Sequence, residues 1–286
     1  MLLHHHGSLF RNNSDQMMAT AKNHKMVQAV STVDLMRPAP EILRWLPSAY
    51  DVLTLNRYAE ANRRAPDGRI RIVHAPTNRA LKHTELFLKV VDRLKKKYAV
   101  DLVLVEGKTN AETLAEKAKA DIVYDQLMFG YGCNSIEAWA MGVPVVAGAD
   151  PWTLNQMDSM WGRLPFAEAT EATLYGVLAK LVDSRELRSE YAQRGLEHVL
   201  KYHDERPALA RLLELYDEAI QIRQVTRIQG KGARFIHKRR SMTVDGQQLD
   251  FSRGPVLITD QEVIRRLRQI QETRPAFGIQ EIEETA

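Results

Sequence analysis

Between residues 69 and 148 the chain switches repeatedly between two hydrophobic periods. The runs 69–74, 100–105, 122–124 and 143–147 are short and rich in Val, Ile and Leu, like strands covered on both faces. Between them lie longer segments with apolar residues every three or four positions, the pattern of an amphipathic helix. The helix expected at 84–97 turns Leu86, Val90, Val91 and Leu94 inward and a lysine-rich face outward, and another is expected at 110–119. A strand–helix order repeated in this way predicts an α/β fold with a parallel, doubly wound, Rossmann-type sheet.

Upstream the pattern is more broken. Residues 1–3 read as the end of a strand and 4–8 as a loop; Ser14 can cap a helix running to about His24. Residues 26–30 alternate as a strand, Thr32 opens a turn ending at Pro38 and Pro40, and 43–47 is a short apolar piece. A helix is expected at 52–63, marked by Leu53, Leu55 and Tyr58, followed by the connector RRAPDG (63–68) with its turn signature. Downstream, 171–223 is almost all helical. Leu174, Val177, Leu178 and Leu181 form one apolar stripe assigned to the core, and Leu209, Leu212, Leu213 and Tyr216 form another; Pro207 falls in a first turn after Asp204. The tail differs: 225–240 holds six Lys/Arg and no carboxylate, 242–249 reads as a hairpin around Asp245-Gly246, and Thr259 or Asp260 caps a last helix at 262–272. The expected organisation is a partial α/β portion at 1–50, a linker at 51–68, a Rossmann-like domain with C-terminal helices at 69–224, and a basic α+β tail at 225–286.

Composition narrows the class. With 286 residues, 44% hydrophobic and 27% charged, the chain can fill one large or two ordinary domains and is not disordered as a whole. A net charge of +4 suits anionic ligands such as nucleotides without signalling nucleic acid. The single cysteine, Cys133, excludes an internal disulfide and a cysteine-based zinc site, and points to a reducing, cytoplasmic compartment. No apolar run approaches the ~18 residues that span a bilayer. Leu2 and Leu3 are followed at once by three histidines, so no signal peptide is read, and HHHGS (4–8) also looks like a vector scar.

The candidate chemistry concentrates in DQLMFGYGCNSIEAWAMGVPVVAG (125–148), read as a glycine-rich loop, a short helix with Glu137 in its first turn, and a buried strand. Asn134 or Ser135 can cap the helix, Ile136, Ala140 and Met141 can face a core, Gly142 supplies a left-handed stop, and Pro144 forbids continuation. A helix start at the end of a parallel strand offers backbone N–H groups and a positive dipole end to an anion. Asp125 ends the preceding strand and can order the loop. Cys133 reads as a small packed residue, with no paired histidine for a nucleophilic role.

Three segments together resemble the donor-binding half of GT-B glycosyltransferases of the group one, or family four, type. In IRIVHAPTNRALKHTELFLKVVDRL (70–94), Arg79 and Lys82 fall on the family's basic positions between a strand and a long helix. VDLVLVEG (100–107) is similar to the strand that follows. DIVYDQLMFGYGCNSIEAWAMGVPVVAG (121–148) carries Glu137 at the second glutamate of the paired-glutamate motif and ends in the family's GVPVV pattern. The resemblance is close over 70–148 and loose over 149–223. The family's first glutamate would lie eight positions before Glu137, where this chain has Phe129. Residues 29–52 are similar to the end of the family's other half, so 1–50 is expected as a truncated, acceptor-side portion. LLHHHGSLFR (2–11) resembles a strand end and glycine loop at the interdomain cleft, which would put His6, Gly7 and Ser8 near the donor sugar.

The resemblance implies transfer of a sugar from a nucleotide-diphosphate sugar to an unknown acceptor, with retention and with neither metal nor cofactor. Arg79, Lys82 and His6 are the implied catalytic residues, the two cations neutralising the departing diphosphate. Glu137 would hold ribose hydroxyls, and Gly7, Gly130, Tyr131, Gly132, Asn134 and Ser135 would line the nucleotide-sugar site, with Phe129 and Tyr131 against base or sugar. The alternative, favoured by Phe129 and the short N-terminal portion, is a nucleotide-sugar-binding or assembly protein without turnover. Expected partners are the nucleotide sugar, an acceptor and a docking partner through 225–286, at a membrane or an assembly, with no nucleic acid. Plainer readings stand beside these: Arg79 and Lys82 as solvated residues before a helix, Glu137 as a helix-start carboxylate, 95–97 as a solvated helix end. The run 231–240 reads as a solvated linker, or as a contact for anionic lipid, polyphosphate or nucleic acid.

Overall fold

Strands buried on both faces need a layer on each side, and the helices supply both layers. The computed structural model describes residues 1–229, 233–237, 241–244, 247–250, 256–258, 260–273 and 279–282. They group in two compact units, Leu2–Tyr216 and Asp217–Ala286.

The first unit opens with β1 (Leu2–His5), α1 (Gly7–Asn23), β2 (Val27–Val30), a 3-10 turn (Val33–Met36) and β3 (Arg44–Trp45). The strands form a parallel sheet in the order β1-β2-β3 over a small core of Phe10, Val30, Leu35, Ala39 and Leu43. α1 starts at Gly7, where φ is +51°, and not at Ser14. Asn13 leaves helical geometry just before Ser14, so the expected cap marks a kink within a longer helix. α2 (Val52–Asn62) is capped by the Asp51 carboxylate, which accepts from the Thr54 amide at 2.9 Å. It buries Val52 and Ala59; the expected marks Leu53 and Tyr58 are exposed, because α2 packs through its small residues.

A second sheet follows, from β4 (Ile70–His74), α3 (Thr84–Lys95), β5 (Val100–Leu104), α4 (Asn110–Ala118), β6 (Ile122–Tyr124), β7 (Phe129–Gly130), α5 (Cys133–Ala140), β8 (Val145–Ala149), α6 (Pro151–Trp161) and β9 (Ala167–Glu168). Its order is β5-β4-β6-β8-β7, with β9 also on β8; every pairing is parallel except β7 with β8. The antiparallel β7 replaces part of the expected loop. Gly130 there has φ +81° opposite Gly148, and a Cβ on it would sit 2.2 Å from Met157 Cε.

Alternation assigns the two faces. Ile72, Ile122, Tyr124 and Val146 pack with Phe87, Val91 and Leu94 of α3 and with Leu174, Leu178 and Leu181 of α7 (Leu174–Asp183). Val73, Val123, Val145 and Ala147 pack with Ile136 and Trp139 of α5 and Val199 of α8 (Arg185–Tyr202). In α9 (Glu205–Gln229), Ala208 and Leu215 are buried, whereas Leu209, Leu213 and Tyr216 of the expected stripe are 54%, 54% and 48% exposed. The packed seam follows the small alanine, one position away from the larger side chains.

The second unit holds β10 (Ala233–His237), β11 (Ser241–Val244), β12 (Gln247–Asp250), β13 (Val256–Ile258), α10 (Gln261–Thr273) and β14 (Ile279–Ile282). β10 lies between β13 and β14, antiparallel to both, and β11 pairs antiparallel with β12. The expected turn Asp245-Gly246, Thr259, and 231–232 and 238–240 of the basic run lie outside the described residues. Asp260 caps α10, accepting from the amides of Glu262 and Val263 at 2.9 and 3.2 Å. Among the described residues no helix is long and apolar enough to cross a membrane.

Candidate functional site

Parallel strands deliver their loops to one edge of the sheet. Arg79 and Lys82 lie after β4, Glu106 after β5, and Asp125 directly after β6. The Arg79 guanidinium donates to Glu85 (2.9 and 2.6 Å) and to both oxygens of Glu106 (3.0 and 2.8 Å). Its planar fork is thus taken up by two carboxylates.

Lys82 pairs with Asp125 Oδ1, and Asp125 Oδ2 accepts from the Gly132 amide (3.1 Å) and the Ser135 hydroxyl (2.6 Å). Asp125 is fully buried, which by itself would raise its pKa; Lys82, Ser135 and Gly132 outweigh burial and hold it below the usual carboxylate range. One carboxylate therefore ties the lysine to the start of α5. Beneath it, His74 Nδ1–H donates to the Tyr124 carbonyl (3.1 Å) and Nε2 accepts from Thr84 (2.8 Å), a tautomer inferred from the partners. Burial lowers the His74 pKa to about 4.

α5 begins earlier than the sequence suggested. Gly132 is its cap, in place of Asn134 or Ser135, and Glu137 lies beyond the first turn. Ser135 is buried with its hydroxyl given to Asp125, while the Asn134 carboxamide is buried and has no partner among the described residues. Glu137 faces α4: its carboxylate accepts from Lys117 Nζ at 2.5 Å and from Asn110 Nδ2 at 3.3 Å. Lys117, only 2% exposed, was not anticipated; its place beside Ala118 on the face of Leu114 was the available signal. Burial, with Cys133 and Glu137 nearby, pushes the Tyr50 phenol upward.

Tyr131 departs most clearly from expectation. Its ring is buried against Trp139, Trp161, His198 and His203, and its hydroxyl bonds His198 Nε2 and His203 Nε2, each at 2.9 Å. His203 Nδ1–H donates to the Ser48 carbonyl at 2.9 Å, so its Nε2 accepts from Tyr131, whose oxygen accepts from His198. Burial lowers the His203 pKa to about 4 and, with His203 and Lys201 nearby, that of His198 to about 2. Tyr131 is a core residue here, not a wall of the ligand site. Gly130 likewise answers to backbone conformation and to Met157.

Opposite β7 lies a crevice of about 460 Å³, with Phe10, Arg11, Asp34 and Arg37 on one side and Met128, Phe129 and Asp150 on the other. Arg11 pairs with Asp34 (2.7 Å) and stacks 4.1 Å over the Phe129 ring; Arg37 pairs with Asp150. His6 is exposed at the start of α1, one turn before Phe10, with Gly7 following it. Among the described residues no group of three or more His, Cys, Asp or Glu is placed to hold a metal ion.

No protein-family model and no curated protein matches the chain. Solved structures do. Anabaena HepE, solved with UDP and glucose, superposes with a TM-score of 0.52 at 11% identity, over 76% of this chain and 70% of that one. Sucrose-phosphate synthase from Thermosynechococcus elongatus gives 0.52 at 13% identity, over 77% and 68%. A glycosyltransferase from Rickettsia africae gives 0.50 at 10%, over 75% and 68%. This chain has the GT-B glycosyltransferase fold. β4–β9 form the larger of the two parallel sheets of this unit, and Arg79, Lys82, Asp125 and α5 stand along its C-terminal edge.

Proposed function

We propose that the protein transfers a sugar from a nucleotide-diphosphate sugar to an acceptor, without metal and with retention. The observation that carries this reading is the convergence of Lys82 on the start of α5 through Asp125, with Arg79 held on the adjoining loop. In the reaction the bond from the anomeric carbon to the diphosphate oxygen breaks, a bond to an acceptor oxygen forms, and the acceptor's proton leaves. Negative charge gathers on the diphosphate. Arg79 would exchange its carboxylate partners for phosphate oxygens, Lys82 would add a compact charge, and the N–H groups of α5 would share the load. Glu137, steadied by Lys117 and Asn110, would hold ribose hydroxyls, a positioning role. His6 would sit on the facing side of the crevice, near the sugar.

Release of nucleoside diphosphate from a panel of nucleotide-diphosphate sugars tests this. We expect release with at least one donor, and a loss of about 10²–10³ in rate for Arg79→Ala or Lys82→Ala. Near-wild-type rates in both variants would contradict the assigned roles. Binding of a donor without release would instead favour the binding protein, a reading that Phe129 at the expected glutamate position supports.

A further inference from the structure

A cavity of about 450 Å³ lies apart from the crevice, between β3 and the ends of α6 and α8. Its walls are aromatic: Trp45, Trp161 and Tyr202, with ring centroids 5.3 Å (Trp45–Trp161), 5.5 Å (Trp45–Tyr202) and 6.2 Å (Trp161–Tyr202) apart. Lys201 and Arg211 stand at its rim with Arg44, whose guanidinium donates to the carbonyls of Glu41 and Ile42; no carboxylate is among the described residues that line it. Glu214, which pairs with Arg211 at 2.8 Å, is not part of the lining.

These features ask for a ligand with an apolar ring face and a negative charge, in a volume ordinary for a small-molecule site. The aromatic planes meet at 55° and 60°, which makes a cup and not the parallel slot that grips a flat base. A puckered sugar ring presents its C–H face to such a cup, and a uronate carboxylate meets Lys201 and Arg211 at the rim. We infer that this cavity binds an acidic saccharide unit, a glycan-binding site separate from the donor edge. The choice of a saccharide rests on the glycosyl-transfer reading; the charge and the aromatic walls do not.

The test is titration of the full chain with tetragalacturonate, uncharged maltotetraose and a thymidine tetranucleotide, followed by calorimetry. A panel of nucleoside diphosphates is titrated into the same samples. Tetragalacturonate should bind at least tenfold more tightly than maltotetraose. Lys201→Gln on the rim and the conservative Trp161→Phe in the wall should each weaken it at least threefold without changing nucleoside diphosphate binding. No tetragalacturonate binding, or binding indifferent to both variants, would overturn the inference even where a nucleoside diphosphate still binds. Tighter binding of the tetranucleotide would overturn it in favour of a nucleic-acid site. Saccharide binding without any nucleoside diphosphate binding would count against the transferase reading alone.

Discussion

Asp125 joins the two parts of the site that sequence could only place side by side. Its carboxylate neutralises Lys82 while accepting from Gly132 and Ser135 at the start of α5. Asp125→Asn keeps the shape and removes the charge, and should cost about 2–3 kcal/mol in urea unfolding at neutral pH. Because the folded carboxyl sits below its ordinary 3.8, the stability it contributes is present above that value and is lost as pH falls through the folded one. A neutral-pH stability unchanged in Asp125→Asn would show that the pair is not formed. The position of Arg79 and Lys82 between β4 and α3 was legible, because the hydrophobic period changes on either side of them. Tyr131 was not: an aromatic among glycines looks ligand-facing, and only the distant His198 and His203 reveal that it belongs to the core.

The pairing of Lys117 with Glu137 clamps α4 to α5, and both partners are buried. Lys117→Met should destabilise by about 3–5 kcal/mol, since it leaves a buried carboxylate uncompensated, and adding Glu137→Leu should restore most of that loss. A double variant as unstable as the single one would mean that the pair's geometry, not its charge, matters. α8 meets α5 as closely: a Cβ at Gly195 would lie 2.0 Å from Trp139 Cδ1, so Gly195→Ala should cost about 1–3 kcal/mol in the same unfolding assay. The β–α–β order of the larger sheet was legible because both of its faces are covered. The start of α1, the antiparallel β7 and the packed face of α9 were not. Each depends on something outside its own periodicity: a positive φ at Gly7, the pairing of Gly130 with Gly148, and a seam set by Ala208.

Over the whole molecule, His74, His198 and His203 are buried and neutral, with pKa values near 4, 2 and 4 against 6.5 when unfolded. Below pH 6.5 the unfolded chain takes up protons that the folded chain refuses, so stability is full above that pH and declines toward pH 4. The slope approaches about 1.4 kcal/mol per pH unit for each histidine. Urea unfolding at pH 7.5, 6 and 5 should show this decline, and a flat profile would contradict the buried neutral rings. The central claim concerns the edge of the larger sheet that carries Arg79 and Lys82. Its most direct test is calorimetric titration of UDP, GDP, ADP and dTDP into the wild type, Arg79→Ala and Lys82→Ala. We expect at least one nucleotide to bind the wild type, and at least tenfold weaker binding in each variant. Binding to none of the four, or equal affinity in all three proteins, would contradict the account.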